Sequence, residues 1–180
     1  MKRKSARDIV NLKGKRPIVC LTAYTAPIAR ALDEHVDLLL VGDSLGMVLY
    51  DYENTLSVTL PQMVEHAKSV VNASFSSCIV VDLPFGTYEE SKEKAFTNSS
   101  DVMKETNCNA IKLEGGQNMY ETVKFLTERS IPVMGHIGLQ PQRVLIEGGY
   151  KVKGKSKFEW NKFIEDAMSL EEAGAFSIVL

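Results

Sequence analysis

The chain has 180 residues, 44% hydrophobic and 24% charged, the profile of one ordinary globular domain able to bury a core of its own. Its 21 Lys and Arg against 23 Asp and Glu leave a net charge of −2, so no global positive field argues for nucleic acid or an anionic membrane as partner. No apolar run is long enough to span a bilayer, no signal peptide is expected after the basic start Met1-Lys2-Arg3-Lys4, and the scattered cysteines Cys20, Cys78 and Cys108 suit a reducing cytoplasm rather than a disulfide framework or a zinc site.

Short apolar runs alternate with amphipathic stretches from one end to the other. Residues 17–21 read as a buried strand, and 26–35 as a helix with Ile28, Ala29 and Leu32 at helical spacing. A second strand covers 36–41 and ends at Gly42. Residues 47–59 read as a loop, followed by a helix over 61–71 with Pro61 in its first turn. The third strand, 78–81, is stopped by Asp82-Leu83-Pro84, and a helix is expected over 89–105. The strand 110–114 precedes Gly115-Gly116 and a helix over 119–129. Residues 132–135 form a fifth strand. A Gly-rich loop (148–157) leads to a helix over 158–173, and 176–180 begin a sixth strand.

A strict strand–helix repeat implies parallel strands with right-handed crossovers. A doubly wound sheet and a (β/α)8 TIM barrel both fit that pattern. Because such a barrel takes about 250 residues, the fold expected is a single barrel domain over 1–180, truncated in or just after the sixth strand and lacking its last strands and helices.

Polar residues gather at the strand ends: Thr22 and Tyr24, Asp43-Ser44, Asp82, Lys112 with Glu114, and His136. In parallel α/β folds ligands bind at the carboxyl edge of the sheet, so five successive strands ending this way point to a site there. Asp43, Asp82 and Glu114 are hard oxygen donors suited to Mg²⁺. In a flat sheet, strands two apart are separated by roughly 9.6 Å, at about 4.8 Å per step. Barrel curvature turns such side chains toward one axis, so a shared ion favours the barrel. Lys112 and Glu114 are two apart on one strand and face the same side. The lysine is either half of a buried ion pair or a cation placed to stabilise an oxyanion. His136 is a proton carrier, a ligand or a satisfied core histidine. His35 and His66 need no functional role, and Tyr24 is an active-site hydroxyl or a hydrogen-bonded core aromatic.

Other readings remain open. Gly42-Asp43-Ser44-Leu45-Gly46 matches the nucleophile-elbow pattern G-x-S-x-G and contains GDSL, with Ser44, Asp82 and His136 in the chain order of an α/β-hydrolase triad. Against that serine esterase stand the loop expected after Gly46, where an elbow needs a helix, and the lack of an Asp-x-x-His pair. Gly115-Gly116 offers backbone N–H groups to an anion, and Lys151, Lys153, Lys155 and Lys157 form either a lid or a solvated loop. A third possibility is a half-barrel without turnover.

The segments Leu21-Thr22-Ala23-Tyr24, Val41-Gly42-Asp43-Ser44-Leu45-Gly46-Met47-Val48, Thr55-Leu56-Ser57-Val58-Thr59, Asp82-Leu83-Pro84-Phe85-Gly86 and Lys112-Leu113-Glu114-Gly115-Gly116 recur in order with Pro132-Val133-Met134-Gly135-His136-Ile137-Gly138-Leu139, Gly148-Gly149-Tyr150-Lys151-Val152 and Leu170-Glu171-Glu172-Ala173-Gly174-Ala175-Phe176. Together they resemble the ketopantoate hydroxymethyltransferase family, (β/α)8 enzymes of pantothenate biosynthesis. The resemblance implies hydroxymethyl transfer from 5,10-methylenetetrahydrofolate to 3-methyl-2-oxobutanoate, giving 2-dehydropantoate by Mg²⁺-dependent enolate chemistry. It assigns Asp43, Asp82 and Glu114 to the metal shell, Asp43, Ser44, Asp82 and Lys112 to the 2-oxo acid, and a supporting role to His136. It also implies a cytoplasmic homo-oligomer when full length. The family's general base is a Glu directly after a segment like Phe176-Ser177-Ile178-Val179-Leu180, so the 180 residues alone are expected to be inactive and to aggregate through open strand edges. Thr25 stands where the family usually has Asp, and Asp51 where Gly is common.

Overall fold

Why the apolar runs become strands is visible in their pairing. The computed structural model describes residues 3–180, with strands β1 (Cys20–Thr22), β2 (Leu38–Val41), β3 (Cys78–Asp82), β4 (Ala110–Glu114), β5 (Val133–His136) and β6 (Ser177–Val179). They form one sheet in chain order, β1-β2-β3-β4-β5-β6, every neighbouring pair parallel. A doubly wound sheet reverses its strand order at a switch point; this one never does. The arrangement is the half-barrel portion of a (β/α)8 fold.

Helix α1 (Ala6–Val10) precedes the sheet. Between the strands run α2 (Ala26–Leu32), α3 (Leu45–Leu49), α4 (Leu60–Ala73), α5 (Lys92–Thr106), α6 (Tyr120–Thr127), α7 (Val144–Glu147) and α8 (Lys157–Glu172). Their ends follow local chemistry. A capping box joins Thr59 to Gln62 at the start of α4 and another joins Ser156 to Glu159 at the start of α8. The helix expected from residue 89 starts at Lys92, because Ser91 caps it while the Glu89 carboxylate accepts from the amides of Gly86 and Tyr88. The helix expected from 119 opens with a 3-10 turn at Gln117–Met119. Helix α2 closes at Leu32, three residues before the expected end, since the Asp33 carboxylate is committed to the amides of Phe75, Ser76 and Ser77.

Side chains alternate across the strands as period two demands. Leu39, Val41, Ile79, Val81, Ile111, Leu113 and Val133 face the helices and form the main core. Leu38, Cys78, Val80, Ala110 and Met134 face the barrel interior, where Ile9 of α1 closes the lower end. The strand expected to be buried at 17–21 is instead largely exposed: Ile18, Val19 and Leu21 are 40%, 43% and 46% accessible. β1 pairs with β2 alone among the described residues. No described helix is long and apolar enough to cross a membrane.

Candidate active site

The register of the sheet brings the polar strand ends together. Asp82 on β3 lies beside Lys112 on β4, and Glu114 lies beside His136 on β5. All four are on the inward period. The Lys112 ammonium pairs with Asp82 Oδ1 and stands 3.4 Å from His136 Nδ1, which is 3.2 Å from Glu114 Oε1. With Nδ1 between an ammonium and a carboxylate, the ring is able to accept from the first or donate to the second. Asp43 and Ser44 follow β2 through Gly42. A Cβ at position 42 would stand 3.0 Å from Ser44 Oγ and 3.3 Å from Asp82 Oδ2, so the absence of a side chain there lets the two strand ends approach. The Asp43 amide then donates to Asp82 Oδ2 at 3.1 Å, and Ser44 Oγ shares a 2.8 Å hydrogen bond with the Tyr24 hydroxyl.

Two residues at the centre of the network, Gln142 and Tyr88, escape a reading of the sequence. The Gln142 side chain donates to Asp43 Oδ2 at 2.8 Å and to the Leu83 carbonyl at 3.0 Å, and its backbone amide donates to Glu114 Oε2 at 3.1 Å. The Tyr88 hydroxyl donates to Gln142 Oε1 at 2.6 Å. Both are neutral, Tyr88 in the loop beyond β3 and Gln142 in a 3-10 turn (Pro141–Arg143) beyond β5, so neither charge nor strand-end position marks them; only the polar stretch Gln140-Pro141-Gln142 beside a strand end hints at a role.

Three carboxylates surround one lysine in a buried space, and the electrostatics follow. Burial, then Asp82, pushes the Asp43 carboxyl up to about 7, with Lys112 and the Gln142 amide opposing and Glu114 adding to the rise. Burial works against the Lys112 ammonium, yet Asp82, Asp43 and Glu114 outweigh it and its pKa is raised. The lysine is therefore charged and held, at 4% exposure.

The side chains of Asp43, Asp82 and Glu114 hold neighbouring groups rather than one another. Among the described residues no group of three His, Cys, Asp or Glu converges closely enough to hold a metal. The reason is the filling of the cluster: Lys112 takes Asp82 Oδ1, Gln142 takes Asp43 Oδ2, and Glu114 is turned to His136 and the Gln142 amide. Residues 47–49, expected as the start of a loop, belong to the short helix α3, which removes one objection to the nucleophile elbow. Two others replace it. Ser44 has φ −55° and ψ −14°, ordinary right-handed geometry rather than a strained turn, and His136 faces Lys112 and Glu114 while Ser44 pairs with Tyr24. The triad is not assembled.

The Gly115-Gly116 anion cradle is likewise overturned. Its amides are already satisfied: Gly115 N donates to the His136 carbonyl, Gly116 N to Asn118 Oδ1, and Gln117 N to Asp166 Oδ1 of α8. In the lysine-rich loop Lys153 pairs with Glu147, and Lys151 donates to the Glu147 carbonyl at 2.5 Å. His66 bridges the Tyr24 carbonyl and the Tyr50 hydroxyl, each at 2.6 Å, a packing role as expected.

Fold and site define a parallel (β/α)-barrel domain whose carboxyl edge carries an acidic, lysine-containing cluster. The chain belongs to the ketopantoate hydroxymethyltransferase family, whose sequence profile matches residues 3–180. It is 55% identical over 179 residues to the 3-methyl-2-oxobutanoate hydroxymethyltransferase of Rhizobium etli, an alignment covering 99% of this chain and 66% of that protein. The chain thus spans just under two thirds of that relative's length. Among solved structures it resembles a putative phosphonomutase from Burkholderia cenocepacia (TM-score 0.74, 14% identity, 97% of this chain and 73% of that one). It also resembles a 2,3-dimethylmalate lyase of the PEP mutase/isocitrate lyase superfamily (TM-score 0.65, 14% identity, 94% and 60%). At such identities the likeness concerns the fold.

Proposed function

We propose that this chain carries the 2-oxo acid site of a hydroxymethyltransferase that adds a one-carbon unit from 5,10-methylenetetrahydrofolate to 3-methyl-2-oxobutanoate, giving 2-dehydropantoate. Beside family membership, one observation supports the reading: Asp43, Asp82, Lys112, Glu114 and His136, from four adjoining strand ends, form a single buried network.

The donor set fits a hard divalent cation such as Mg²⁺. Three carboxylates against one lysine leave the cluster with surplus negative charge, and the buried oxygens Asp82 Oδ1 and Glu114 Oε1 meet only Lys112 and His136. Mg²⁺ commonly needs only one or two carboxylates and keeps waters or substrate elsewhere, so Asp43 and Asp82 would hold it, with Glu114 contributing charge nearby. Once bound, such an ion would polarise the carbonyl of a chelating 2-oxo acid and acidify the adjacent C–H.

The chain's own residues do the rest. Lys112, fixed by Asp82, presents a permanent positive charge to the oxygen where negative charge develops. The Ser44 hydroxyl, held by Tyr24, contacts the carboxylate of the acid. His136 steadies Lys112 and Glu114 from the next strand. The partners on this reading are a small 2-oxo acid and a reduced folate, with no nucleic acid and no membrane; the free cysteines accord with a reducing cytoplasm. Assembly into homo-oligomers is part of the same proposal.

Calorimetric titration with 3-methyl-2-oxobutanoate, with and without Mg²⁺, tests it. Binding is expected only with the ion and is weakened at least about tenfold in Asp82→Ala. Equal binding without Mg²⁺, or in the variant, refutes the assignment.

A further inference from the structure

Hydrogen bonds divide each carboxylate of the cluster in two. Asp43 Oδ2 accepts from Gln142 Nε2 at 2.8 Å, Asp82 Oδ2 from the Asp43 amide at 3.1 Å, and Glu114 Oε2 from the Gln142 amide at 3.1 Å. The second oxygen of Asp82 is ion-paired with Lys112 and that of Glu114 stands 3.2 Å from His136 Nδ1, whereas the second oxygen of Asp43 takes no hydrogen bond from a described residue. A carboxylate with one oxygen committed has one oxygen to give. Single-oxygen ligation suits Mg²⁺, which demands octahedral geometry at about 2.0–2.1 Å, whereas Ca²⁺ takes about 6–8 oxygens and often draws on both oxygens of a carboxylate.

For Asp43 this division depends on a side chain, and Tyr88 fixes which end of that side chain does it. The Glu114 amide donates to the Tyr88 hydroxyl oxygen at 3.2 Å, so the phenolic proton is free to go to Gln142 Oε1 at 2.6 Å. Oε1 is thereby the accepting end of the amide, and Nε2 faces Asp43 Oδ2 and the Leu83 carbonyl. Gln142 is 6% exposed and Tyr88 2%, so neither moves into water without giving up these bonds.

We propose that Gln142, oriented by Tyr88, is a specificity-determining positioning residue. By occupying Asp43 Oδ2 it keeps Asp43 a one-oxygen ligand and makes the site prefer a small octahedral cation over Ca²⁺. The inference rests on the divalent-cation reading given under the proposed function.

The test is calorimetric titration of the protein with MgCl₂ and, separately, CaCl₂, for wild type, Gln142→Met and Tyr88→Phe, with thermal melts to confirm folding. Met keeps the length of Gln142 without its donors or acceptor, and Phe removes only the hydroxyl that orients the amide. The Mg²⁺-to-Ca²⁺ affinity ratio is expected to fall by about tenfold or more in Gln142→Met, and in the same direction by less in Tyr88→Phe. A purely structural role weakens both ions alike; an unchanged ratio in either folded variant overturns the proposal and leaves the cation site standing. Should one variant fail to fold, the other decides. Wild-type protein that binds neither ion refutes the cation reading, and this inference falls with it.

Discussion

Asp33 offers the clearest link between one side chain and the stability of the fold. Its carboxylate is 5% exposed and accepts from the amides of Phe75 at 2.7 Å, Ser76 at 2.9 Å and Ser77 at 2.9 Å, and from the Ser74 hydroxyl. It thereby ties the end of α2 to the turn between α4 and β3. Burial alone would raise its pKa, but these donors outweigh burial and hold it at about 2, against an ordinary 3.8. At about 1.36 kcal/mol per pH unit, that difference corresponds to about 2 kcal/mol of folding stability. Since the folded-state pKa is the lower one, the contribution is complete above about pH 4 and is lost as pH falls toward 2. Asp33→Asn removes the charge and points an NH₂ group at donors, so it should lose at least about 2 kcal/mol at pH 7. Urea denaturation of both proteins at pH 7, 5, 4 and 3 measures this. A difference below about 0.5 kcal/mol at pH 7, or one that does not shrink between pH 4 and 3, refutes the reasoning.

Two further outcomes follow from the geometry. Asp51 has φ +56°, in the left-handed region that glycine occupies without strain, so Asp51→Gly should stabilise the protein by about 0.5–1 kcal/mol in the same urea assay. Lys112→Met should leave Asp82 buried without its counter-charge and cost about 3–5 kcal/mol, read as a lowered urea denaturation midpoint at pH 7; an unchanged midpoint refutes it.

The strands were legible because they are short apolar runs punctuated by polar residues, and strands 110–114 and 78–81 differ from the observed β4 and β3 by one residue at most. Less visible was whatever depends on a distant neighbour. Val19 and Leu21 carry the composition of buried strand residues, but burial is decided by what packs against them. Helix α3 has five residues, too few for a helical period to register. The carboxylates and Lys112 were legible as site residues because charge at a strand end is conspicuous. Gln142 bonds Asp43 across 99 positions of chain, and the Gly115-Gly116 amides were misread because the His136 carbonyl and the Asn118 side chain take them, while Asp166, 49 residues on, takes the Gln117 amide. The preference for Gly at position 51, known only from the resemblance, gains its physical cause from the positive φ.

Residues 3–10, which include helix α1, form a strap beneath the barrel. Arg3 donates to the Asn107 carbonyl across 104 positions and to the Val71 carbonyl, the Lys4 amide donates to the Ser76 carbonyl, and Ile9 fills the space among β2, β3, β4 and β5. The seat of Ile9 does not exist until four strands are side by side. This stretch precedes in the chain the strands that receive it and is thus among the last elements to find its seat, so the sheet stays open at its floor while the polar rim above it is still being built.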